Sequence, residues 1–257
     1  MSIIISVHSF RGGTGKSNVS ANLAAQLASE GKRVGVIDTD INSPGIHVLF
    51  GMDEEQIDKC LNDYLWGRCE IQEAAYDVSA RIGKGTVVPM GCNLYLIPAS
   101  IRAGEIARVL REGYDVSMLN DGFRALTEKL RLDYLIIDTH PGLNEETLLS
   151  IAISDVLFII LRPDQQDLQG TAVTVDVARK LEVPELYLIV NKALTSYDFV
   201  DLRKQIEGIY SSPVAAILPL SEDVARMQSA DLFSLRYPEH PVSQEIRKIA
   251  DIIRGLG

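Results

Sequence analysis

The 257 residues are 46% hydrophobic and 23% charged and carry a formal net charge of −10, the composition of an ordinary globular chain long enough for one α/β domain with a sizeable core. The acidic balance excludes a protein that coats nucleic acid over its whole surface, though not one with a local basic patch. The longest strongly apolar run, Val156 to Leu161, is far short of the roughly 20 residues a membrane helix needs, and Cys60, Cys69 and Cys92 form no CxxC pair, which argues against a disulfide frame or thiolate metal site.

Met1 to Val7 lacks a basic leader segment, and Ile3–Val7 reads as a strand running into a glycine-rich loop. A helix is predicted over Asn18–Glu30, where Val19, Leu23 and Leu27 recur every four residues and Gly31 supplies the stop. Strands follow at Val34–Ile37 and Leu94–Ile97, separated by a stretch that carries little signal. Within that stretch, Arg81–Cys92 is the best candidate for an exposed loop, with Gly83, Gly85, Pro89 and Gly91. Helical patterns at Gly104–Arg111 and Val116–Leu130 precede a strand at Tyr134–Ile137. Then come a helix at Asn144–Ile153, a strand at Val156–Leu161, a helix at Leu168–Leu181 and a strand at Leu186–Val190. The chain closes with Asp198–Tyr210 (helix), Val214–Leu218 (strand) and Pro241–Arg254 (helix). Several strands are apolar without alternation, as when both faces of a parallel sheet are covered. The reading is therefore one domain over 1–257: an α/β, doubly wound, mostly parallel sheet of about seven or eight strands with helices on both faces. Ligands in such folds sit at the carboxyl ends of the strands.

The first loop, Arg11-Gly-Gly-Thr-Gly-Lys-Ser17, lies between a strand and a helix. Glycines let a backbone wrap phosphates, and the new helix points free N–H groups at them. Gly12, Gly13, Thr14, Gly15, Lys16, Ser17 and Asn18 are thus candidate phosphate-binding residues, Lys16 for the β- and γ-phosphates and the Ser17 hydroxyl for Mg²⁺. The second strand ends in Asp38-Thr-Asp40, and the strand at Tyr134 ends in Asp138-Thr-His-Pro-Gly142. A carboxylate closing an apolar strand beside such a loop is a Mg²⁺ support, so Ser17, Asp38 and Asp138 form the candidate metal set. No N-K-x-D guanine motif follows Asn191, because residue 194 is Leu, which favours ATP.

These segments resemble the MinD/ParA group of deviant Walker A P-loop ATPases, whose loop reads K-G-G-x-G-K-[ST]. Two departures stand out: Phe10 replaces the first glycine of the general P-loop pattern, and Arg11 occupies the signature lysine slot. The resemblance implies that Arg11 reaches the nucleotide of a second subunit, a role its charge and planar fork preserve; the alternative is that it stays within its own chain. It also implies that Asp40 orients the attacking water and that Asn191 and the segment around Pro219 cradle adenine. The catalytic set is then Asp40, Lys16 and Arg11. His140, where the group has proline, reads as a loop residue.

Members of the group are switches. The resemblance implies an ATP-dependent homodimer, ATP hydrolysis with Mg²⁺, an activating partner protein, and a cytoplasmic protein that positions cargo, peripheral on a membrane surface or on non-specific DNA of the nucleoid. The last helix carries Val242, Ile246, Ile249, Ile253 and Leu256 on one stripe, read as core packing rather than membrane contact. Arg102, Arg108, Arg111, Arg124, Lys129 and Arg131 are interleaved with acids and read as a solvated helix surface rather than a DNA patch. The alternative function is a P-loop ATPase of metallocentre assembly or a biosynthetic or regulatory enzyme, the first suggested by the likeness of Asp38–Ile46 to the D-A-D-I-x-G-P-S-I run of iron–sulfur carriers.

Overall fold

A computed structural model describes residues 2–82 and 93–256. Most of the loop expected at Arg81–Cys92 lies outside the described residues.

The chain begins with β1 (Ile3–His8), the glycine loop and α1 (Lys16–Ser29). α1 starts on Gly15 at φ 101° and stops where Gly31, at φ 90°, donates back to Ala28 O at 3.0 Å. β2 (Arg33–Asp38), the short α2 (Ile46–Leu49) and α3 (Leu61–Leu65), β3 (Tyr76–Asp77) and β4 (Asn93–Ile97) follow. Then come α4 (Ala103–Glu112), α5 (Ser117–Lys129), β5 (Tyr134–Asp138), α6 (Glu145–Ala152), β6 (Val156–Leu161) and α7 (Gln165–Lys180). The remainder is β7 (Glu185–Ala193), α8 (Phe199–Tyr210), β8 (Val214–Pro219), the short α9 (Glu222–Arg226) and α10 (Phe233–Arg236), and α11 (Pro241–Gly255). Helix starts are set by side chains that satisfy otherwise orphaned N–H groups. Asn144 accepts from Thr147 N, Asp164 from Asp167 N, and Asp198 from Val200 N and Asp201 N.

The eight strands lie in the order β3-β4-β2-β5-β1-β6-β7-β8, all parallel except β3, which pairs antiparallel with β4. Successive side chains of a strand leave opposite faces. Ile136 accordingly enters the cluster built on α1 and α11, while Leu135 and Ile137 enter the one under α4 and α5. Beyond β1, Leu157, Ile159 and Leu161 pack beneath α7 and α8. Both faces are therefore sealed, and β5 and β6 are buried along their entire length, which explains their unbroken apolar runs.

α11 buries Ile246, Ile249, Ala250 and Ile253 against β8 and α1, so the expected core role holds for the middle of that stripe, while Val242 is only partly buried and Leu256 is exposed. Two cations of the basic span are paired: Arg108 bonds Glu112 at 3.0 Å and stacks 3.8 Å over Trp66, and Arg102 lies 3.9 Å from Glu54. The seven predicted strands and seven predicted helices are all present. β3, α2, α3, α9 and α10 were not predicted; at two to five residues they are shorter than one readable period.

Candidate functional site

Three adjacent strands deliver their carboxyl ends to one place. In the parallel register Val7 and Asp38 each lie opposite Asp138. The loop leaving β1 turns over them with Gly13 at φ 76° and Gly15 at φ 101°, backbone that residues with a side chain rarely adopt. Lys16 is buried, and so is the Thr14 hydroxyl, which has no hydrogen-bond partner among the described residues. From the far side Asn191 Nδ2 donates to Thr14 O at 2.7 Å and Lys192 Nζ to Gly13 O at 2.8 Å. A hollow of about 370 Å³ faces the loop, lined by Gly12, Gly13, Lys16, Ser17, Asp40 and Gly45 among others. A second, more apolar one of about 410 Å³ adjoins it at Gly15, Asn18 and Ser229 and extends past Asn191, Leu218, Pro219 and Val224. Together they form a cleft with a polar end and an apolar end.

The polar end holds three carboxylates. Asp38 accepts from Asp40 N at 3.0 Å and Gly45 N at 3.2 Å. Asp138 accepts from Ser20 Oγ at 3.0 Å, and Asp40 from Ser43 N at 3.1 Å. Burial, and then the neighbouring Asp138 and Asp40, push the Asp38 carboxyl well above its usual range. Burial pushes Asp138 up to about 6 against the pull of Ser17 and Lys16, and burial raises Asp40 although His140 and Lys16 oppose it. Carboxylates so placed need a cation. The donors present, one hydroxyl and several carboxylates, are the hard oxygens Mg²⁺ prefers. Among the described residues no group of three or more His, Cys, Asp or Glu could enclose a metal ion by itself. That suits Mg²⁺, which takes most of its shell from water and phosphate.

Around this centre the loop is tied to its neighbours. Arg11 Nη1 lies 3.4 Å from Asp167 Oδ1 and 3.8 Å from Asp164 Oδ1 of the same chain. Asp167 is buried and also accepts from Arg162 Nε at 2.9 Å, Nη2 at 3.2 Å and N at 3.0 Å. Burial alone would raise its carboxyl, but the Arg162 bonds and the charges of Arg162 and Arg11 hold it below the ordinary value. The Phe10 ring sits on α7, where a Cβ built on Gly170 would come within 2.1 Å of it. Beneath the loop, His8 is fully buried with Nδ1 2.8 Å from Thr139 Oγ1. The Thr139 hydroxyl gives its one proton to Val7 O at 3.0 Å, so His8 Nδ1 is the donor of that pair.

A family model described as AAA domain (AAA_31) matches residues 2–186. The chain belongs to that AAA-domain family. An uncharacterized ATP-binding protein of Methanocaldococcus jannaschii is 29% identical over 99% of this chain and 89% of its own. An iron-sulfur cluster carrier protein of Pyrococcus horikoshii is 29% identical over 73% of this chain and 60% of its own. Among solved structures, the septum site-determining protein MinD of P. horikoshii, complexed with Mg-ADP, superposes with a TM-score of 0.80 at 22% identity, covering 100% of this chain and 97% of MinD. This AAA domain thus has the MinD-type P-loop fold.

Of the residues singled out from sequence in this AAA domain, Gly12, Gly13, Gly15, Lys16, Ser17, Asn18 and Asp40 line the polar hollow, and Asn191 and Pro219 the apolar one. Asp38 and Asp138 lie beneath at the strand ends. Arg11 is at the rim, turned to α7. Sequence reasoning missed Ser20, one helical turn past Lys16 and in reach of Asp138. It also missed Asp167 and Arg162, which follow β6, the strand beside β1. Ser229 and Lys192 were missed as well; both carry positive φ, 59° and 56°, which no residue type announces.

Proposed function

We propose that this chain is a Mg²⁺-dependent ATPase of the MinD/ParA kind, which dimerises on ATP and acts as a nucleotide-driven switch in the cytoplasm to position a cargo. The observation that carries the reading is the convergence of Asp38, Asp40 and Asp138 on Lys16 and Ser17 at a glycine loop that opens a helix.

Lys16 and the loop N–H groups bind the triphosphate, and the apolar hollow beside Pro219 takes the adenine. Ser17 and Asp138, backed by Asp38, would hold Mg²⁺, which would offset the charge of the phosphates. Asp40, in the same hollow and held by Ser43 N, orients water toward the γ-phosphate. Arg11, near the rim and partly exposed, is placed to leave Asp167 and reach a second subunit's nucleotide. Partners in this reading are a second copy, an activating protein, and a membrane or DNA surface; no described helix is long and apolar enough to cross a membrane.

The test is a pair of variants. Lys16→Ala is expected to abolish ATP uptake in calorimetry. Asp40→Ala is expected to keep uptake and accumulate an ATP-bound dimer in gel filtration with at least tenfold slower turnover, about 1.4 kcal/mol or more in barrier. Hydrolysis by Asp40→Ala at the parental rate ends the assigned role.

Metallocentre assembly is a second reading, favoured by the likeness to the P. horikoshii carrier protein. Against it, Cys60 is buried and its thiol is pushed by burial up to about 11, so it stays protonated. Stoichiometric iron and sulfide in anaerobically purified protein would carry this reading instead.

A further inference from the structure

We infer that Asn191 and Lys192 are positioning residues of the phosphate loop: they hold the carbonyls of Thr14 and Gly13 toward β7 and so aim the N–H groups of Gly15 and Thr14 into the polar hollow. The inference rests on the nucleotide-binding reading above and deepens it.

The geometry starts in the sheet. β7 and β8 shift register between Leu188 and Ile189 and again between Val190 and Ala193, the second shift spanning Asn191 and Lys192. Such irregularities re-aim side chains. Here they release Asn191 and Lys192 from the ladder toward the loop. Lys192 takes φ 56°, a conformation that is costly for a side-chain-bearing residue and persists only where surrounding contacts enforce it. The turn is enforced from both sides. Lys192 N donates to Asn191 Oδ1 at 2.8 Å, and Leu220 N to Ala193 O at 2.7 Å.

From this corner the two side chains reach consecutive peptide groups of the loop, Asn191 Nδ2 to Thr14 O and Lys192 Nζ to Gly13 O. In a trans peptide the C=O and N–H point in opposite directions, and the chain contains no cis bond among the described residues. Drawing these two carbonyls toward β7 therefore turns the N–H groups of Gly15 and Thr14 away from it. The hollow lined by Gly12, Gly13, Gly15, Lys16 and Ser17 is not lined by Asn191 or Lys192. Three glycines would otherwise leave this loop many conformations to lose on binding. Fixing it beforehand strengthens binding without any contact to the ligand. The close approach also explains Gly15: a Cβ there would lie 2.4 Å from Asn191 Nδ2.

This assignment differs from recognition of adenine by Asn191. One N–H of its amide is given to Thr14 O and its oxygen accepts from Lys192 N, so the orientation of the amide is set by the chain itself. A ligand without a base separates the two roles. Calorimetry would compare MgATP, MgADP and inorganic tripolyphosphate on the full chain, with Asn191→Ala, Lys192→Met and Lys192→Arg. Each of the first two is expected to weaken all three ligands by one common factor of about three- to tenfold, the worth of one hydrogen bond, with Lys192→Arg recovering most of it. Lys192 is exposed, so its variants test the role even if Asn191→Ala folds poorly. Losses confined to ATP and ADP, with tripolyphosphate binding unchanged, would assign a base contact and overturn the inference, as would no loss at all. A parent chain that takes up none of the ligands overturns both this inference and the function it rests on.

Discussion

Replacing Asp138 with Asn should make the nucleotide-free protein more stable. In the folded chain burial lifts this carboxyl from 3.8 to about 6. Between those values the unfolded chain ionises while the folded chain keeps its proton, so stability falls as pH rises through the window. Each unit corresponds to about 1.36 kcal/mol, and the shift thus costs the parent about 3 kcal/mol at pH 8. Only well below the unfolded value of 3.8, under about pH 3, are both states protonated and the cost gone. Asn never ionises, and it offers Ser20 Oγ the acceptor that Asp138 Oδ1 now provides at 3.0 Å. Urea unfolding in chelator should therefore show Asp138→Asn ahead of the parent by about 2–3 kcal/mol at pH 8, shrinking to about 1 kcal/mol near pH 4.5 and toward zero below about pH 3. With Mg²⁺ and ATP the order should reverse, because only the parent retains the charge that a cation offsets. Equal midpoints at pH 8, or a less stable variant, would refute the claim that ionised Asp138 is a strained group awaiting a cation.

Two further perturbations probe the loop's neighbours. Arg11→Ala should shift unfolding by less than about 1 kcal/mol, since its ion pairs are partly exposed and Arg162 still serves Asp167; its effect should instead be loss of ATP-dependent dimer and turnover, and normal dimerisation and hydrolysis would end the trans role. Gly170→Ala should gain none of the roughly 1 kcal/mol that Ala normally brings to a helix interior, because the Phe10 ring occupies the space. The same change in a Phe10→Ala background should recover it, and thermal unfolding of the four proteins closes the cycle; additive effects would show that the ring does not seat on α7.

The main strands and longer helices were legible because their apolar runs last several periods and end in recognisable stops such as Gly31. The phosphate loop was legible because strand, glycines, lysine and helix occur in one continuous stretch, and Asp38 and Asp138 because each closes an apolar strand. What could not be read was how distant segments meet. Nothing in Asn191-Lys192 declares that both side chains return to a loop some 180 positions earlier. Asp167 looks like one more acid after a strand until the order β1-β6 puts it beside Arg11. Phe10 looked only like a missing glycine, whereas its contact at Gly170 gives it a place of its own.

The imidazole under the loop has a consequence for how the machine would signal. With His8 Nδ1 committed to Thr139 and burial, then Lys16 and His140, lowering its pKa to about 3, the ring remains uncharged across every pH a cell experiences. The fastener joining β1 to the strand end that carries Asp138 is therefore deaf to acidity and to ionic strength. The two segments are thus joined by the same uncharged hydrogen bond throughout that pH range.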